Sequence, residues 1–354
     1  MGTVNTLSVV DCEDVAWFRD GPSLPAAARG TATALARRIG LEDHRIAELA
    51  LAVTEAATNV QRHAEDGALV LRVLRAGGRT GVEFLTVDSG PGMVDVAAAL
   101  ADGTSATGTL GIGLGAVARL ADAFDVHSVP GKGTVIAAQF WPRAMTGHTS
   151  HAVAQRPAQT ASGVTRPISG ESTCGDAWAV RRVGTAGAPA LLVLMCDGLG
   201  HGPLAARVAS TALEAFRGTT SHDPEGVLTA VHRALHGSRG GAVAVARVDG
   251  TTGRLTYCGV GNISGFLIGH GSRRALLSAP GIVGHQMRRL RTFEESLSPE
   301  DALVMHSDGL TERWDPAALP GLLRHSPAVM AGQLLREAGV RRDDAGVVVV
   351  RNSW

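Results

Sequence analysis

Cysteine is scarce in this chain, and its four copies (Cys12, Cys174, Cys196 and Cys258) form no CxxC pair. That spacing excludes a disulfide framework and a structural zinc site, and it fits a reducing cytosol. Charge of one sign is lacking too: 33 basic residues balance 33 acidic ones. No basic stripe points to nucleic acid, and no polybasic run points to an anionic membrane. No uninterrupted apolar segment is long enough to cross a bilayer, and no basic n-region precedes an apolar stretch at the N-terminus. A cytoplasmic location is therefore expected. Aromatic residues make up 4% of the chain while Gly reaches 45 copies, a bias typical of GC-rich genomes. What is present is length: 354 residues suit two domains, each able to bury its own core.

The pattern along the chain supports that division. A helix is expected over 22–38, with Ser23 as cap, Pro25 in the first turn and Gly40 after the end. A second is expected over 41–64, where Ile46, Leu49, Ala50, Val53, Ala57 and Val60 recur at helical spacing. Strands are expected over 69–74 and 82–87, helices over 94–102 and 114–124, and a closing hairpin from 125–129 and 134–140 around Pro130-Gly131-Lys132-Gly133. Composition changes after Trp141-Pro142. We therefore assign residues 1–142 to a first domain, 143–163 to a linker without periodicity, and 164–354 to a second domain. The second contains apolar runs at 190–196, 242–248, 255–260, 265–268, 302–306 and 346–350. Helical stretches are expected over 203–216, 224–235 and 327–338, so the domain reads as layered α+β.

Four short elements follow one another in the first domain: Glu55-Ala-Ala-Thr-Asn59, Asp88-Ser-Gly-Pro-Gly92, Gly111-Ile-Gly-Leu-Gly115 and Gly131-Lys-Gly-Thr134. Glu55 and Asn59 are four apart, so on a helix both leave the same face. Asn59 offers an oxygen to Mg²⁺, and Glu55 can orient or deprotonate an attacking hydroxyl. Asp88 closes a strand, where its carboxylate can accept from the exocyclic amine of adenine. Gly90 and Gly92 beside it would let backbone approach a purine without Cβ clashes. The glycines at 108, 111, 113 and 115 run straight into a helix, and their amides suit phosphate oxygens. Gly131, Gly133 and Thr134 would close the far side. No Gly-Lys-Ser/Thr and no early strand–GxGxxG–helix unit is present, which removes the P-loop and Rossmann alternatives.

The second domain holds a separate acidic set: Asp176 in Cys174-Gly-Asp-Ala-Trp178, Asp197 in Cys196-Asp-Gly-Leu-Gly-His-Gly202, Asp308 in Ser307-Asp-Gly309, and Asp343 in Arg342-Asp-Asp344. An Asp-Gly pair alone is an ordinary turn. Four carboxylates at strand ends of one sandwich can share a rim, and sharing it requires cations. Oxygen-only ligands suit Mg²⁺ or Mn²⁺, and two such ions can hold a hydroxide for in-line attack on phosphorus. His201 and His306 lie beside this set, and a hydrogen-bonded structural role is favoured for each over proton shuttling. Asp343 is favoured over Asp344 as ligand, and Arg341 and Arg342 could equally meet phosphate or solvent.

Residues 22–141 resemble the GHKL (Bergerat-fold) ATPases, in particular the serine kinases of bacterial sigma-factor control. They are more similar to the stressosome switch kinase type (RsbT) than to the anti-sigma kinase type (RsbW). The resemblance implies ATP and Mg²⁺, with Asn59 as magnesium ligand, Glu55 as catalytic base and Asp88 as adenine anchor. Residues 163–351 resemble the PPM-type phosphatases of the SpoIIE and RsbX group. That implies a Mn²⁺ or Mg²⁺ pair held by Asp176, Asp197, Asp308, Asp343 and the carbonyl of Gly198, with Asp197 and Asp308 central to catalysis. Two positions depart from the group: Ala179 stands where many relatives have a further Asp, and Gly346 where a threonine is usual. The implied fold is a Bergerat α/β two-layer sandwich followed by a PPM-type α-β-β-α sandwich. The implied function is opposed kinase and phosphatase action on STAS-domain proteins of a partner-switching pathway. A sigma factor or downstream phosphatase is a possible further partner. The alternative is a first domain that binds ATP and clamps a partner without kinase turnover.

Overall fold

Alanine-rich sequence with apolar residues at helical spacing folds as α1 (Leu24–Arg38) and α2 (Asp43–His63). The computed structural model describes residues 11–19, 21–101, 113–143, 160–185, 187–287, 289–340 and 342–352. The chain divides into two compact units, with residues 12–143 in the first and 160–352 in the second. Both are α+β.

In the first unit the two helices cover one face of a five-stranded sheet. Its strands are β1 (Asp11–Arg19), β2 (Ala68–Ala76), β3 (Arg79–Val87), β4 (Ala123–Val129) and β5 (Gly133–Phe140), in the order β1-β2-β3-β5-β4. Strand alternation sends Leu69, Leu71, Val73, Val82, Phe84, Ile136, Ala138 and Phe140 into the core beneath the helices. The intervening positions carry a polar ladder across three strands, because Arg72 sits opposite Glu83 and Glu83 opposite Gln139. Arg72 Nη1 donates to Glu83 Oε2 at 2.7 Å, and Arg72 also pairs with Asp14 at 3.0 Å. Gln139 Nε2 donates to Glu83 Oε1 at 2.8 Å. Burial pushes the Glu83 carboxyl up from its ordinary range, and the Arg72 guanidinium opposes that rise.

Two short helices, α3 (Val96–Leu100) and α4 (Gly113–Leu120), complete the unit. The helix expected over 114–124 stops at Leu120, because β4 begins at Ala123 and Asp122 turns inward. There Asp122 Oδ2 accepts from the Trp141 amide at 2.7 Å and from the fully buried Arg45 of α2. Arg45 also donates to the Leu120 carbonyl at 3.2 Å, to the Trp141 carbonyl at 3.1 Å and to Glu48. One guanidinium thus ties α2 to the end of α4 and to the end of β5. Ser23 holds the N-cap position of α1 without a side-chain cap bond, a difference from expectation that follows from its helical backbone angles. β1 was not legible, since Asp11-Cys-Glu-Asp14 reads as a polar run.

The second unit contains β6 (Ala161–Arg166), β7 (Asp176–Thr185), β8 (Ala188–Gly198), α5 (Gly202–Gly218) and α6 (Pro224–Ala234). These are followed by β9 (Gly241–Asp249), β10 (Arg254–Val260), β11 (Ser264–Gly269), β12 (Ser272–Leu276), β13 (Gly281–Ile282), β14 (Gln286–Met287) and β15 (Phe293–Ser296). β16 (Ala302–His306), α7 (Pro327–Ala338) and β17 (Ala345–Arg351) end it. One sheet has the order β15-β10-β9-β8-β7 and the other β12-β11-β16-β17-β6. Helices α5 and α6 pack on the first sheet and α7 on the second, while β6 and β17 meet β7 between the sheets, giving an α-β-β-α sandwich. Residues 161–163, assigned above to the linker, belong to β6. Their small side chains carry no apolar period, and pairing with β17 makes them strand. Residues 144–159 lie outside the described residues.

Arg45→Leu removes the fully buried partner of Glu48 and Asp122 and leaves these carboxylates, among the described residues, only the exposed Arg143 as a cation, 3.5 Å from Asp122. A loss of roughly 3–5 kcal/mol in the stability of the first domain is expected from urea denaturation of the full chain.

Candidate active sites

In the first domain the strand end at Asp88 and the β4–β5 hairpin are stitched together. The Asp88 amide donates to the Thr134 carbonyl at 3.0 Å, and Asp88 Oδ1 accepts from the amides of Gly90 at 2.9 Å and Thr134 at 3.3 Å. The Gly131 amide donates to the Pro91 carbonyl at 2.8 Å, and Thr134 Oγ1 lies 2.9 Å from Ser128 Oγ. Gly92 has φ +66°, and a Cβ there would lie 2.2 Å from the Val129 carbonyl oxygen. Gly133 has φ +94°, with its Cβ position 2.0 Å from the Asp88 carbonyl oxygen. Packing of the chain on itself therefore demands these glycines before any purine is considered.

The same segment abuts the end of α2, where the Ser89 amide donates to the Glu65 carbonyl at 2.8 Å. Asn59 lies one turn before His63, the last residue of that helix. Glu55 and Asn59 are half-buried, and neither side chain has a hydrogen-bond partner among the described residues. Gly113 opens α4 with φ +71°, and Gly115 lies against the Leu100 carbonyl of α3. Gly111 falls outside the described residues.

In the second domain the carboxylates are placed by strand register. Asp176 at the start of β7 sits directly opposite Asp197 near the end of β8. Like charges so placed repel. Asp308 follows β16, and Asp343 and Asp344 precede β17, so the paired ends of the second sheet supply the rest. A hydroxyl bridges the two sheets: Ser307 Oγ donates to Asp176 Oδ2 at 2.5 Å and accepts from the Gly346 amide at 3.0 Å. Burial, and then the Asp197 charge, hold the Asp176 carboxyl well above the usual range. Asp197 is pushed up to about 7 by burial and by Asp308, Asp343 and Asp344.

Asp344 and Asp343 differ in their surroundings. Asp344 is buried, and its two oxygens accept from the Ile168 and Gly175 amides, each at 2.7 Å. Asp343 is half-buried and accepts from the Asp344 amide at 2.9 Å. His306 is buried, its Nδ1 lies 2.8 Å from the Ser307 carbonyl, and Trp314 Nε1 donates to its Nε2 at 3.4 Å. Desolvation lowers its pKa, which marks a neutral packed ring. His201 is exposed, 3.5 Å from Glu171. Arg342 is exposed, and Arg341 lies outside the described residues.

Sequence reading missed two side chains here: the Ser307 hydroxyl, and Asn262, whose Nδ2 donates to Asp308 Oδ2 at 2.6 Å. Ala179 is buried among Leu194 and Val208 under α5. Its register partner is Leu194, so it shares the helix-facing side of β7 and not the side of Asp176. Gly346 packs closely on its neighbours, since a Cβ there would lie 3.0 Å from Asp176 Cβ and 2.4 Å from Met195 Cε.

The donor set fits divalent cations. Buried carboxylates that raise one another's pKa lack a balancing charge, and all the donors are oxygen. Among the described residues no three His, Cys, Asp or Glu side chains close a shell around one point. Mg²⁺ is commonly held by one or two carboxylates with several waters, so a closed shell is not required.

Together these features define a kinase-like ATPase domain joined to a PPM-type phosphatase domain. Residues 19–140 match the histidine kinase-like ATPase domain, and residues 188–352 match stage II sporulation protein E (SpoIIE). The serine/threonine-protein kinase RsbT of Bacillus subtilis (strain 168) is 35% identical over 117 residues, covering 33% of this chain and 88% of RsbT. The phosphoserine phosphatase RsbX of the same organism is 24% identical over 143 residues, covering 40% of this chain and 69% of RsbX. A solved structure of the bacterial stressosome, described as a modular system adapted to control secondary messenger signaling, matches at 32% identity. It covers 54% of this chain and 98% of the matched chain, with a TM-score of 0.50. Through its first domain the chain belongs to the histidine kinase-like ATPase family, and its second domain is of the SpoIIE phosphatase type.

Gly346→Ala places a methyl group against Asp176 and Met195. The end of the Met195 side chain can turn away while Asp176 Cβ at 3.0 Å must give slightly, so the urea midpoint of the second domain should fall by the equivalent of no more than about 1 kcal/mol in stability.

Proposed function

We propose that this chain is a bifunctional regulator of a bacterial partner-switching pathway. Its first domain transfers phosphate from ATP to a serine of a STAS-domain protein, and its second domain removes phosphate from such a serine. The observation that carries the reading is the pairing of Asp176 with Asp197 across β7 and β8, bridged to the other sheet by Ser307. Two carboxylates held face to face, Asp176 buried and Asp197 half-buried, need a shared proton or a cation between them, and the further charges of Asp308 and Asp343 favour a cation.

In the phosphatase domain Asp176, Asp197, Asp308, Asp343 and the Gly198 carbonyl are the residues that would hold Mn²⁺ or Mg²⁺. Bound there, the cations supply a nucleophilic hydroxide and offset charge on phosphorus. Asp344 is committed to two backbone amides and shapes the loop that carries its neighbour, which supports Asp343 as the ligand. Ser307 fixes one oxygen of Asp176 and with it the orientation of the carboxyl group.

In the kinase domain Asp88 would anchor adenine. Its Oδ1 is engaged by two amides, and this fixes the orientation of the carboxyl plane. Asn59 would meet the phosphate-bound Mg²⁺, and Gly113 and Gly115 would frame the phosphates at the start of α4. Glu55 would accept the proton of the incoming serine hydroxyl. Phosphoryl transfer needs little beyond such positioning.

The test combines the full chain with candidate STAS proteins. With ATP and Mg²⁺, serine phosphorylation is expected from the wild type and should vanish in Glu55→Ala. With Mn²⁺ alone, dephosphorylation is expected and should vanish in Asp308→Asn and on chelation with EDTA. Indifference to both substitutions would refute the site assignments. ATP binding with no transfer to any STAS protein would instead indicate the ATP-dependent clamp.

A further inference from the structure

The connection between β10 and β11 carries a residue with no role in the fold on either side of it. Asn262 is exposed, and its Nδ2 donates to Asp308 Oδ2 at 2.6 Å, across 46 positions of sequence. The backbone that presents it is pinned at both ends. The Gly261 amide donates to the Ala279 carbonyl at 2.9 Å, and the Ile263 carbonyl accepts from Ser278 Oγ at 2.9 Å. Tyr257, buried under this turn, places its hydroxyl 2.9 Å from Ser278 Oγ. A short, firmly held turn therefore delivers one amide to one carboxylate oxygen.

The chemistry of the donor matters. Asp308 shares its rim with Asp197 and Asp343, and an arginine or lysine in place of Asn262 would neutralise the charge that attracts a cation. An amide donates without neutralising. It engages Oδ2 and restrains rotation of the carboxylate about its last bond, with Oδ1 outside this hydrogen bond. Outer hydrogen bonds of this kind commonly change metal affinity 10–100-fold when removed.

We propose that Asn262 is a positioning residue that orients Asp308 for divalent-cation binding. The inference rests on the phosphatase reading of the second domain. Mn²⁺ titration calorimetry on the full chain tests it, with wild type, Asn262→Ala and Asn262→Gln. The dissociation constant of Asn262→Ala should rise about tenfold or more. Asn262→Gln, which keeps an amide on a longer stem, should fall between the two. Hydrolysis of p-nitrophenyl phosphate by Asn262→Ala should recover towards the wild-type kcat as Mn²⁺ is raised. The metal-free urea midpoint of both variants should stay close to that of wild type, since the hydrogen bond to Asp308 joins two exposed side chains. An Asn262→Ala isotherm superimposed on that of wild type overturns the proposal while leaving the phosphatase reading intact. A lowered metal-free midpoint in Asn262→Ala overturns it in favour of a structural role. Failure of the wild-type chain to take up Mn²⁺ defeats the phosphatase reading, and this inference falls with it.

Discussion

Repulsion between carboxylates is the constraint around which the second domain is arranged. Hydrogen bonding between β7 and β8 forces Asp176 and Asp197 into opposition, and the neighbouring sheet brings Asp308 and Asp343 to the same end of the sandwich. Left alone, this cluster opposes folding, because each added charge raises the free energy of the others. Among the described residues the hydrogen bonds to these carboxylates come from neutral donors. Ser307 holds Asp176, backbone amides of Ile168 and Gly175 hold Asp344, and Asn262 holds Asp308. Such donors fix geometry and preserve the field. The remaining instability is a feature of functional clefts, where local energetics yield to chemistry.

The first domain solves a different problem. Its strand end at Asp88 meets the end of α2, the helix that carries Glu55 and Asn59. Asp88, Gly92, Gly131 and Gly133 form a continuous wall in which the backbone approaches at Gly92 and Gly133 depend on a missing Cβ. Glu55 and Asn59 stand on the adjacent helix with no partner among the described residues, the usual condition of polar groups reserved for a ligand.

Much of this was readable from residue order alone. The stripe of α2 put Glu55 and Asn59 on one face, and apolar runs ending in Asp-Gly located Asp197 and Asp308 at strand ends. Side-chain donors were not readable, and the reason is distance along the chain. Ser307 and Asp176 are 131 positions apart, and Asp344 reaches an amide 176 positions away. No local pattern encodes such a meeting. Gly90, Gly92, Gly115 and Gly133, expected to admit a ligand, also lie against neighbouring backbone where a Cβ would clash, a requirement no local pattern announces. Residues 161–163 were taken for linker because small side chains acquire strand character from the partner that pairs with them.

The ladder of Arg72, Glu83 and Gln139 has a consequence for how the first domain assembles. Side chains on a strand alternate, so a slip of a single residue between β2 and β3 would swing Arg72 into the apolar layer under the helices, facing no carboxylate. Purely hydrophobic strands as uniform as these would tolerate several offsets. A buried guanidinium tolerates one. A one-residue offset is thus disfavoured in the finished sheet, because it leaves a desolvated guanidinium without its carboxylate.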